Sequence, residues 1–410
     1  MSIWKPGPRP DWARELNAIA DPAWISLADD ELVEEARRKT GLSDFGPDSW
    51  REGYRHFLAS ARDEAQLNVL GRLILRNDVL TWLVNRLEIE ETYRQHPEIE
   101  EVPLTNPIFI TGLPRSGTSI LHEVMGQDPG ARLPQAWEAL HPCPPPETAS
   151  YASDSRIERA QEEERLWVEI VPEYDRMHEL GAQIPVECVR VMAHEFCCDE
   201  LAGRQIVPGY AAWLASADLT ASYRYYRRIL KLLCWKAPGE RWVLKAPSHL
   251  GQLEALFRVF PDARVVQTHR DPLKVMASVA SILYSTAYVR SDAVDPEQIL
   301  AWFTGETCAA LLATAESVRE SGKIPPGQIF DVRYADFVDR PVETVAGLYR
   351  HFGIDYRDEA REAMRRYLDA KPKGRHGVHR YDFEHTGFDI ATERKRFADY
   401  VAKYDLPEEV

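Results

Sequence analysis

Three features of the sequence predict an α/β fold built on a parallel sheet. A short apolar run at 108–110 leads into a glycine-rich turn, and a helical pattern follows that turn. Further apolar runs at 242–244, 264–267 and 329–334 are separated by helical segments, which is typical of parallel strands joined by crossover helices. We therefore expect a P-loop-type parallel sheet flanked by helices, with a helical N-terminal region and helical insertions.

The chain divides into two regions that differ in composition, and Pro103 and Pro107 mark the boundary between them. Residues 1–105 are polar and amphipathic, and apolar side chains recur at helical spacing over residues 62–90. We expect this region to be helical and to pack on the core. Residues 106–410 form the predicted α/β domain, which contains an aromatic-rich helical insertion at about 150–235.

The composition of the chain indicates which kinds of molecule the protein is expected to bind and where in the cell it is expected to lie. The formal net charge of the 410 residues is −15, which argues against general nucleic-acid binding because that requires a basic surface. No apolar run approaches the roughly 20 residues of a membrane span, and the N-terminal residues lack a signal-peptide pattern. The six cysteines include no C-x-x-C pair. We interpret them as reduced thiols and expect a cytoplasmic protein without a membrane span.

The glycine-rich stretch FITGLPRSGTSI has the spacing of a phosphate-binding loop. Gly112 and Gly117 fit G-x-x-x-x-G, and Ser119 lies where such loops hold magnesium, but Thr118 replaces the lysine of a nucleoside-triphosphate site. Backbone N–H groups at this turn and at the start of the next helix would still bind an anion. Arg115 would supply a fixed cation, because a guanidinium stays protonated and binds oxyanions bidentately. We expect a ligand with less charge than a triphosphate.

A second oxyanion motif follows the predicted strand at 264–267. Arg270 ends that strand, Asp271 can cap the next helix, and Ser278 lies roughly two helical turns further on. Arg270 and Ser278 can therefore bind one anion together. The same stretch resembles the H-R-D loop of protein kinases, but Met276 stands where that loop needs asparagine, so we reject the kinase interpretation of this motif.

Together these motifs resemble the sulfotransferase family, whose members use 3′-phosphoadenosine 5′-phosphosulfate (PAPS). The resemblance covers about 105–390. The motifs that carry it are the phosphosulfate loop Pro114-Arg115-Ser116-Gly117-Thr118-Ser119, the pair Arg270 and Ser278, the strand end Lys245-Ala246-Pro247, and the strand end Arg333-Tyr334-Ala335-Asp336.

The resemblance implies PAPS as co-substrate without a metal, and it assigns roles to further residues. The loop would hold the 5′-phosphosulfate, and Arg270 with Ser278 would hold the 3′-phosphate. Tyr334 would contact the nucleotide, and the basic segment Lys373-Gly374-Arg375 would close over the 3′-phosphate. A homodimer is possible at the level of the family.

Sulfuryl transfer needs a base for the acceptor and cations for the sulfuryl group and the leaving oxygen. Arg115 and Lys245 are the expected cations. Glu138 falls near the catalytic glutamate of the tyrosylprotein sulfotransferases and is the first candidate for the base. His249, which follows the strand-end lysine as the catalytic histidine of cytosolic sulfotransferases does, is the second. His194 and Glu187 are alternatives.

Aromatic residues in the helical regions suggest a small apolar or amphipathic acceptor, such as a lipid-like alcohol or a phenol. Two other functions stay open at this point. A P-loop kinase or nucleoside triphosphatase would require magnesium, whereas a non-catalytic nucleotide-binding protein would bind the nucleotide without turnover.

Overall fold

A computed structural model describes residues 5–371 and 383–410 of the chain. It contains a five-stranded sheet in which all pairs are parallel and the strand order is β2-β3-β1-β4-β5. The strands are β1 (Ile108–Gly112), β2 (Ala131–Arg132), β3 (Arg241–Lys245), β4 (Arg264–His269) and β5 (Ile329–Arg333). The predicted fold class is confirmed, and the four predicted apolar runs are strands. β2 was not predicted because two residues are too short to give a strand pattern.

Helices precede the sheet, connect its strands and follow it. Before β1 lie α1 (Asp11–Ile19), α2 (Asp29–Thr40), α3 (Trp50–Asp63) and α4 (Val69–Gln95). Between β1 and β3 lie α5 (Thr118–Met125), α6 (Ala136–Leu140), α7 (Arg156–Ile170), α8 (Cys188–Met192), α9 (Asp199–Gly203), α10 (Pro208–Ser216) and α11 (Thr220–Trp235). α12 (Leu253–Val259) joins β3 to β4, and α13 (Pro272–Arg290), α14 (Pro296–Trp302) and α15 (Gly305–Glu320) join β4 to β5. After β5 come α16 (Tyr334–Asp339), α17 (Pro341–His351), α18 (Asp358–Ala370) and α19 (Ile390–Lys403). No helix of the described residues is long and apolar enough to cross a membrane.

The central strand β1 is buried along its whole length and separates two apolar cores. Because successive side chains of a strand point to opposite faces, Phe109 packs in one core while Ile108 and Ile110 pack in the other. The larger core also takes in side chains of α2, α3 and α4. Helices α2, α3 and α4 therefore share one hydrophobic core with one face of the sheet.

The region 62–90, whose apolar residues recur at helical spacing, is divided between two helices instead of forming one continuous helix. α3 ends at Asp63 and α4 begins at Val69. Asn68 caps α4, because its side-chain oxygen accepts a hydrogen bond from the Gly71 backbone N–H at 2.8 Å. A Cβ on Gly71 would lie 1.9 Å from the carbonyl oxygen of Arg290. The glycine thus permits the close approach of α4 to the end of α13.

Glu138, the first candidate for the base, lies in a buried ion pair that joins β2 to α6. It has no exposed surface. Arg132 donates to both of its oxygens, with Nη1 at 3.0 Å from Oε2. The backbone N–H of Gln135 also donates to Oε2 at 2.9 Å, which completes a capping box at the start of α6. Both carboxylate oxygens of Glu138 are therefore engaged in holding local structure together.

This pair predicts a large stability effect for Glu138→Ala. Removing one partner of a buried pair leaves the other charge uncompensated, so we expect the free energy of unfolding to fall by about 3–5 kcal/mol. Urea denaturation measures the change. Glu147→Ala is the matched control, since Glu147 pairs with Lys236 on the surface and should cost less than about 1 kcal/mol. Equal losses in the two variants would contradict a structural role for the Glu138 pair.

Candidate active site

The glycine-rich loop between β1 and α5 depends on two glycines. Gly112 has φ +146°, and a Cβ there would lie 2.3 Å from the Thr268 hydroxyl. Gly117 has φ +94°, and a Cβ there would lie 2.6 Å from the ring of Tyr334. Arg115 also adopts a left-handed conformation, with φ +66°. Thr268 and Tyr334 pack so closely on the loop that a side chain at either glycine would displace them.

Ser116 stabilises the loop through hydrogen bonds to the loop itself and to β4. Its hydroxyl donates to the Leu113 carbonyl oxygen at 2.5 Å and lies 2.6 Å from the Thr268 hydroxyl, and its backbone N–H donates to the same carbonyl. α5 begins at Thr118, and the first N–H groups of a helix have no acceptor within it. The N–H group of Ser116 is therefore already engaged, and the N–H groups at the start of α5 are the ones that an anion at this loop would contact.

Lys245 lies at the carboxyl end of β3, directly beside the loop. Its side chain is 3% exposed, and Nζ lies 2.5 Å from Glu187 Oε1 and 3.1 Å from the Ser119 hydroxyl. Ser119 has the position whose hydroxyl binds magnesium in nucleoside-triphosphate P-loops. In this chain the cation next to that hydroxyl is an ammonium group supplied by the neighbouring strand.

Arg115 extends from the loop toward α13. Its Nε donates to the Ser278 hydroxyl at 3.1 Å, and its Nη1 donates to the Met177 carbonyl oxygen at 3.2 Å. Its own carbonyl oxygen accepts from Arg270 Nη1 at 2.9 Å. The two motifs identified from sequence, which are 155 residues apart, thus meet at one edge of the sheet. Carboxyl ends of parallel strands are where ligands bind in open α/β sheets.

The Arg270 guanidinium is held on several sides. It stacks on the Tyr334 ring at 4.0 Å from the ring centroid. Nε and Nη2 donate to the two carboxylate oxygens of Glu409 at 2.8 and 2.7 Å. Asp271 caps α13 as predicted, because its carboxylate accepts from the Leu273 N–H at 3.1 Å. Arg270 is therefore fixed at the loop, with an ion pair to Glu409 that the sequence did not reveal.

The two histidine candidates lie in the protein interior. The Nδ1 of His249 is 2.6 Å from the Tyr223 hydroxyl, and burial lowers the pKa of His249 to about 3. The Nδ1 of His194 is 2.8 Å from the Val191 carbonyl oxygen, and burial lowers the pKa of His194 to about 4. No contact places either ring against Lys245 or Arg115 among the described residues. Glu187, an alternative in the sequence analysis, contacts Lys245 directly.

Two further titratable groups near the lysine carried no signal in the sequence. His178 follows Met177, which accepts a hydrogen bond from Arg115, and burial together with the Lys245 charge lowers its pKa. Asp199 begins α9. The residue is exposed, but the protein packed around its carboxyl group and the charge of Glu187 raise its pKa to about 6. The predicted residues Lys373, Gly374 and Arg375 lie outside the described residues.

A cleft of about 250 Å³ opens between α4 and α7. Its walls are largely apolar, with ion-paired charged side chains among them. The lining includes Leu70, Leu73, Ile74, Asp78, Trp82, Leu140, Glu164, Leu166, Trp167, Arg190 and Arg204. Arg190 is one helical turn from Glu187, to whose carbonyl oxygen its N–H donates at 3.0 Å. Arg190 therefore connects the cleft to the helix that carries Glu187, although Glu187 and Lys245 do not themselves line the cleft.

Comparison with known proteins gives a consistent result. The sequence profile of the sulfotransferase family matches residues 107–358. Omega-hydroxy-beta-dihydromenaquinone-9 sulfotransferase Stf3 of Mycobacterium tuberculosis and of Mycobacterium bovis is 21% identical over 326 residues, which are 73% of this chain and 74% of the relative.

Two solved structures are similar over almost the whole chain. Sulfotransferase STF1 from Mycobacterium tuberculosis has a TM-score of 0.79 and 34% identity, covering 92% of this chain and 99% of that one. Sulfotransferase STF9 from Mycobacterium avium has a TM-score of 0.84 and 27% identity, covering 94% and 98%. The family profile spans more than half of the chain and includes the loop and both strand-end motifs. The chain therefore belongs to the sulfotransferase family.

Proposed function

We propose that this sulfotransferase moves the sulfuryl group of PAPS to a hydroxyl, or an amine, of a small amphipathic acceptor in the cytoplasm. The observation that carries the proposal is the convergence of Arg115, Lys245 and Arg270 on one glycine-rich loop that lacks the P-loop lysine. Three cations from different elements suit a ligand with two separate anionic groups. The cytoplasmic location is supported by six cysteines that are all free thiols.

The donor would lie across the carboxyl ends of the central strands. The N–H groups at the start of α5 would bind the 5′-phosphosulfate. Arg270 and Ser278 would bind the 3′-phosphate, with Ser278 exchanging its hydrogen bond from Arg115 for one to phosphate. Tyr334, stacked on Arg270 and packed on Gly117, would lie against the nucleotide. Closure by Lys373, Gly374 and Arg375 stays a prediction from the resemblance.

The reaction would be an in-line displacement at sulfur. The acceptor oxygen forms a bond to sulfur while the bond from sulfur to the phosphate oxygen breaks. The leaving oxygen gains negative charge, and Lys245, next to Ser119 of the loop, is placed to neutralise it. Arg115 would stabilise charge spread over the sulfuryl oxygens. A fixed cation at a developing charge in a buried site lowers the barrier by a few kcal/mol.

We propose Glu187 as the base. Its carboxylate touches Lys245 and is 27% exposed, so an acceptor hydroxyl can reach it beside the leaving group. When Lys245 turns to the leaving oxygen, Glu187 loses its cation and becomes better able to accept the proton. Glu138 fits this role less well because Arg132 and Gln135 already occupy its oxygens. His249 fits less well because it is fully buried against Tyr223.

The acceptor proposal rests on the apolar cleft whose lining residue Arg190 lies one helical turn from Glu187. Its apolar wall, which includes Leu73 and Trp167, suits a hydrocarbon or aromatic segment, while the reacting hydroxyl lies toward Lys245. The relative Stf3 is named for an acceptor that is a hydroxylated menaquinone, which supports an amphipathic alcohol here. Asp199, whose carboxylate has no hydrogen-bond partner among the described residues, could accept a hydrogen bond from a polar group of the acceptor.

Calorimetric titration with 3′-phosphoadenosine 5′-phosphate (PAP), the expected product, tests donor binding. We expect micromolar binding without magnesium, and a loss of about 10- to 100-fold in Arg270→Ala, because hydrogen bonds to a charged group are lost. Arg264→Ala, at the opposite end of β4, should bind like the wild type. Magnesium-dependent binding of ATP in place of PAP would favour the nucleoside triphosphatase alternative and contradict this function.

Turnover of Glu187→Gln tests the base. We expect kcat to fall by about 10²- to 10⁴-fold, while PAP binds at least as tightly because a negative charge beside the donor site is removed. Turnover is measured as formation of PAP from PAPS, in the presence of an alcohol or phenol that the wild type sulfates. Glu138→Gln and His249→Gln are compared at a temperature where both are folded. Loss of turnover in Glu138→Gln with normal turnover in Glu187→Gln would restore Glu138 as the base.

Asp199 predicts a pH-dependent stability difference. A carboxyl whose pKa rises on folding, here from 3.8 to about 6, stabilises the fold at low pH and loses that contribution as pH rises through the folded value. The Tm of Asp199→Asn should therefore equal that of the wild type near pH 4 and exceed it increasingly toward pH 7. Thermal melts over this range measure the difference, with Asp369→Asn on the exposed face of α18 as control. A difference that does not change with pH would refute the shift.

A further inference from the structure

The contact between Glu409 and Arg270 has the geometry of an oxyanion in a binding site. Two parallel hydrogen bonds of 2.8 and 2.7 Å join the carboxylate to the Nε–Nη2 edge of the guanidinium. This edge is the one through which arginine binds a carboxylate or a phosphate bidentately. Both partners are largely buried, with 12% of the Arg270 side chain and 25% of the Glu409 side chain exposed. Glu409 thus occupies the position at which a phosphate would bind Arg270 most strongly.

The backbone around Glu409 is fixed on the same motif. The Glu409 N–H donates to Asp271 Oδ2 at 2.7 Å. Arg394 donates to both oxygens of Asp271 at 2.7 and 3.0 Å and to the Val410 carbonyl oxygen at 2.6 Å. These bonds use groups other than the Glu409 carboxylate. A rotation of that side chain can therefore release Arg270 while the segment 404–410 stays docked.

We infer that Glu409 competes with the 3′-phosphate of the donor nucleotide for Arg270 and thereby limits how tightly 3′-phosphorylated nucleotides bind. The inference rests on the proposed function. A phosphate carries more negative charge than a carboxylate and can replace it at the guanidinium edge. A nucleotide with a 3′-hydroxyl cannot, so it leaves the Arg270–Glu409 pair in place and gains nothing from Arg270. Glu409 therefore weakens the binding of 3′-phosphorylated nucleotides and leaves the binding of nucleotides with a 3′-hydroxyl unchanged.

The same competition acts on the product. PAP keeps the 3′-phosphate after sulfuryl transfer, so a site with an uncompensated Arg270 would hold the product as tightly there as it holds the donor. Re-formation of the Arg270–Glu409 pair offsets the loss of the phosphate when PAP leaves. Glu409 thus lowers affinity for the nucleotide and favours product release.

The test is calorimetric titration of Glu409→Gln with PAP and with AMP, which lacks the 3′-phosphate. The amide keeps the shape of the carboxylate but not its charge. The Arg270–Glu409 ion pair, which PAP must break in the wild type, is therefore absent, and we expect PAP to bind about tenfold more tightly. AMP should bind within about twofold of the wild type. Glu408→Gln is the matched control, because Glu408 is 68% exposed and contacts Arg394 instead.

The variants also separate this inference from the proposed function. In an Arg270→Ala background, Glu409→Gln should raise PAP affinity by a different factor than in the wild type, because the competition for Arg270 is gone and only the repulsion between Glu409 and the 3′-phosphate is relieved. If the wild type binds PAP but Glu409→Gln binds it equally or more weakly, the inference is overturned and Glu409 positions Arg270 instead. If the wild type does not bind PAP at all, the proposed function fails, and the inference fails with it. Glu409→Ala serves as a second variant, and thermal melts confirm that each variant is folded.

Discussion

The carboxyl ends of β3, β1 and β4 lie side by side, and the candidate site depends on this strand order. β1 ends in the glycine-rich loop, β3 ends at Lys245, and β4 leads into Arg270. Cations from three segments of the chain therefore gather around one helix N-terminus, which is itself a positive end of a dipole. Such a concentration of positive charge is unfavourable unless anions balance it. The protein supplies two carboxylates for this purpose, Glu187 at Lys245 and Glu409 at Arg270.

These two carboxylates connect structure and proposed chemistry. Each pairs with a cation that the sulfotransferase resemblance assigns to the donor nucleotide, and each would have to give up that cation when the donor binds. A donor with two anionic groups thus replaces two internal ion pairs rather than entering a bare electropositive pocket. The net gain would be smaller than the direct contacts suggest, because binding of the donor would break two existing ion pairs. A turnover enzyme benefits from this balance, since very tight nucleotide binding would slow product release.

The sequence predicted the fold class, four of five strands and the residues that meet at the sheet edge, because these follow from local patterns and from motif order. It could not predict pairs between distant segments. Lys245 and Glu187 are 58 residues apart, and Arg270 and Glu409 are 139 apart. Neither carboxylate lies in a motif. Glu138 was the first candidate for the base because of its position in the chain, and only the fold shows that Arg132 donates to both of its carboxylate oxygens.

Charged residues lie at the loop, and the cleft between α4 and α7, where we propose that the acceptor binds, has largely apolar walls. Glu187 and Lys245 lie at the loop, and Arg190 on the same helix pairs with Glu164 on α7. Arg204 and Arg290 share Asp78 on α4, and both stack on Trp167. The charged side chains around the cleft are thus engaged in ion pairs with one another. In the proposed function, an acceptor would gain most by placing apolar surface against Trp167 and Leu73. Its hydroxyl would then lie at the other end, toward Glu187, which favours a molecule with one polar end.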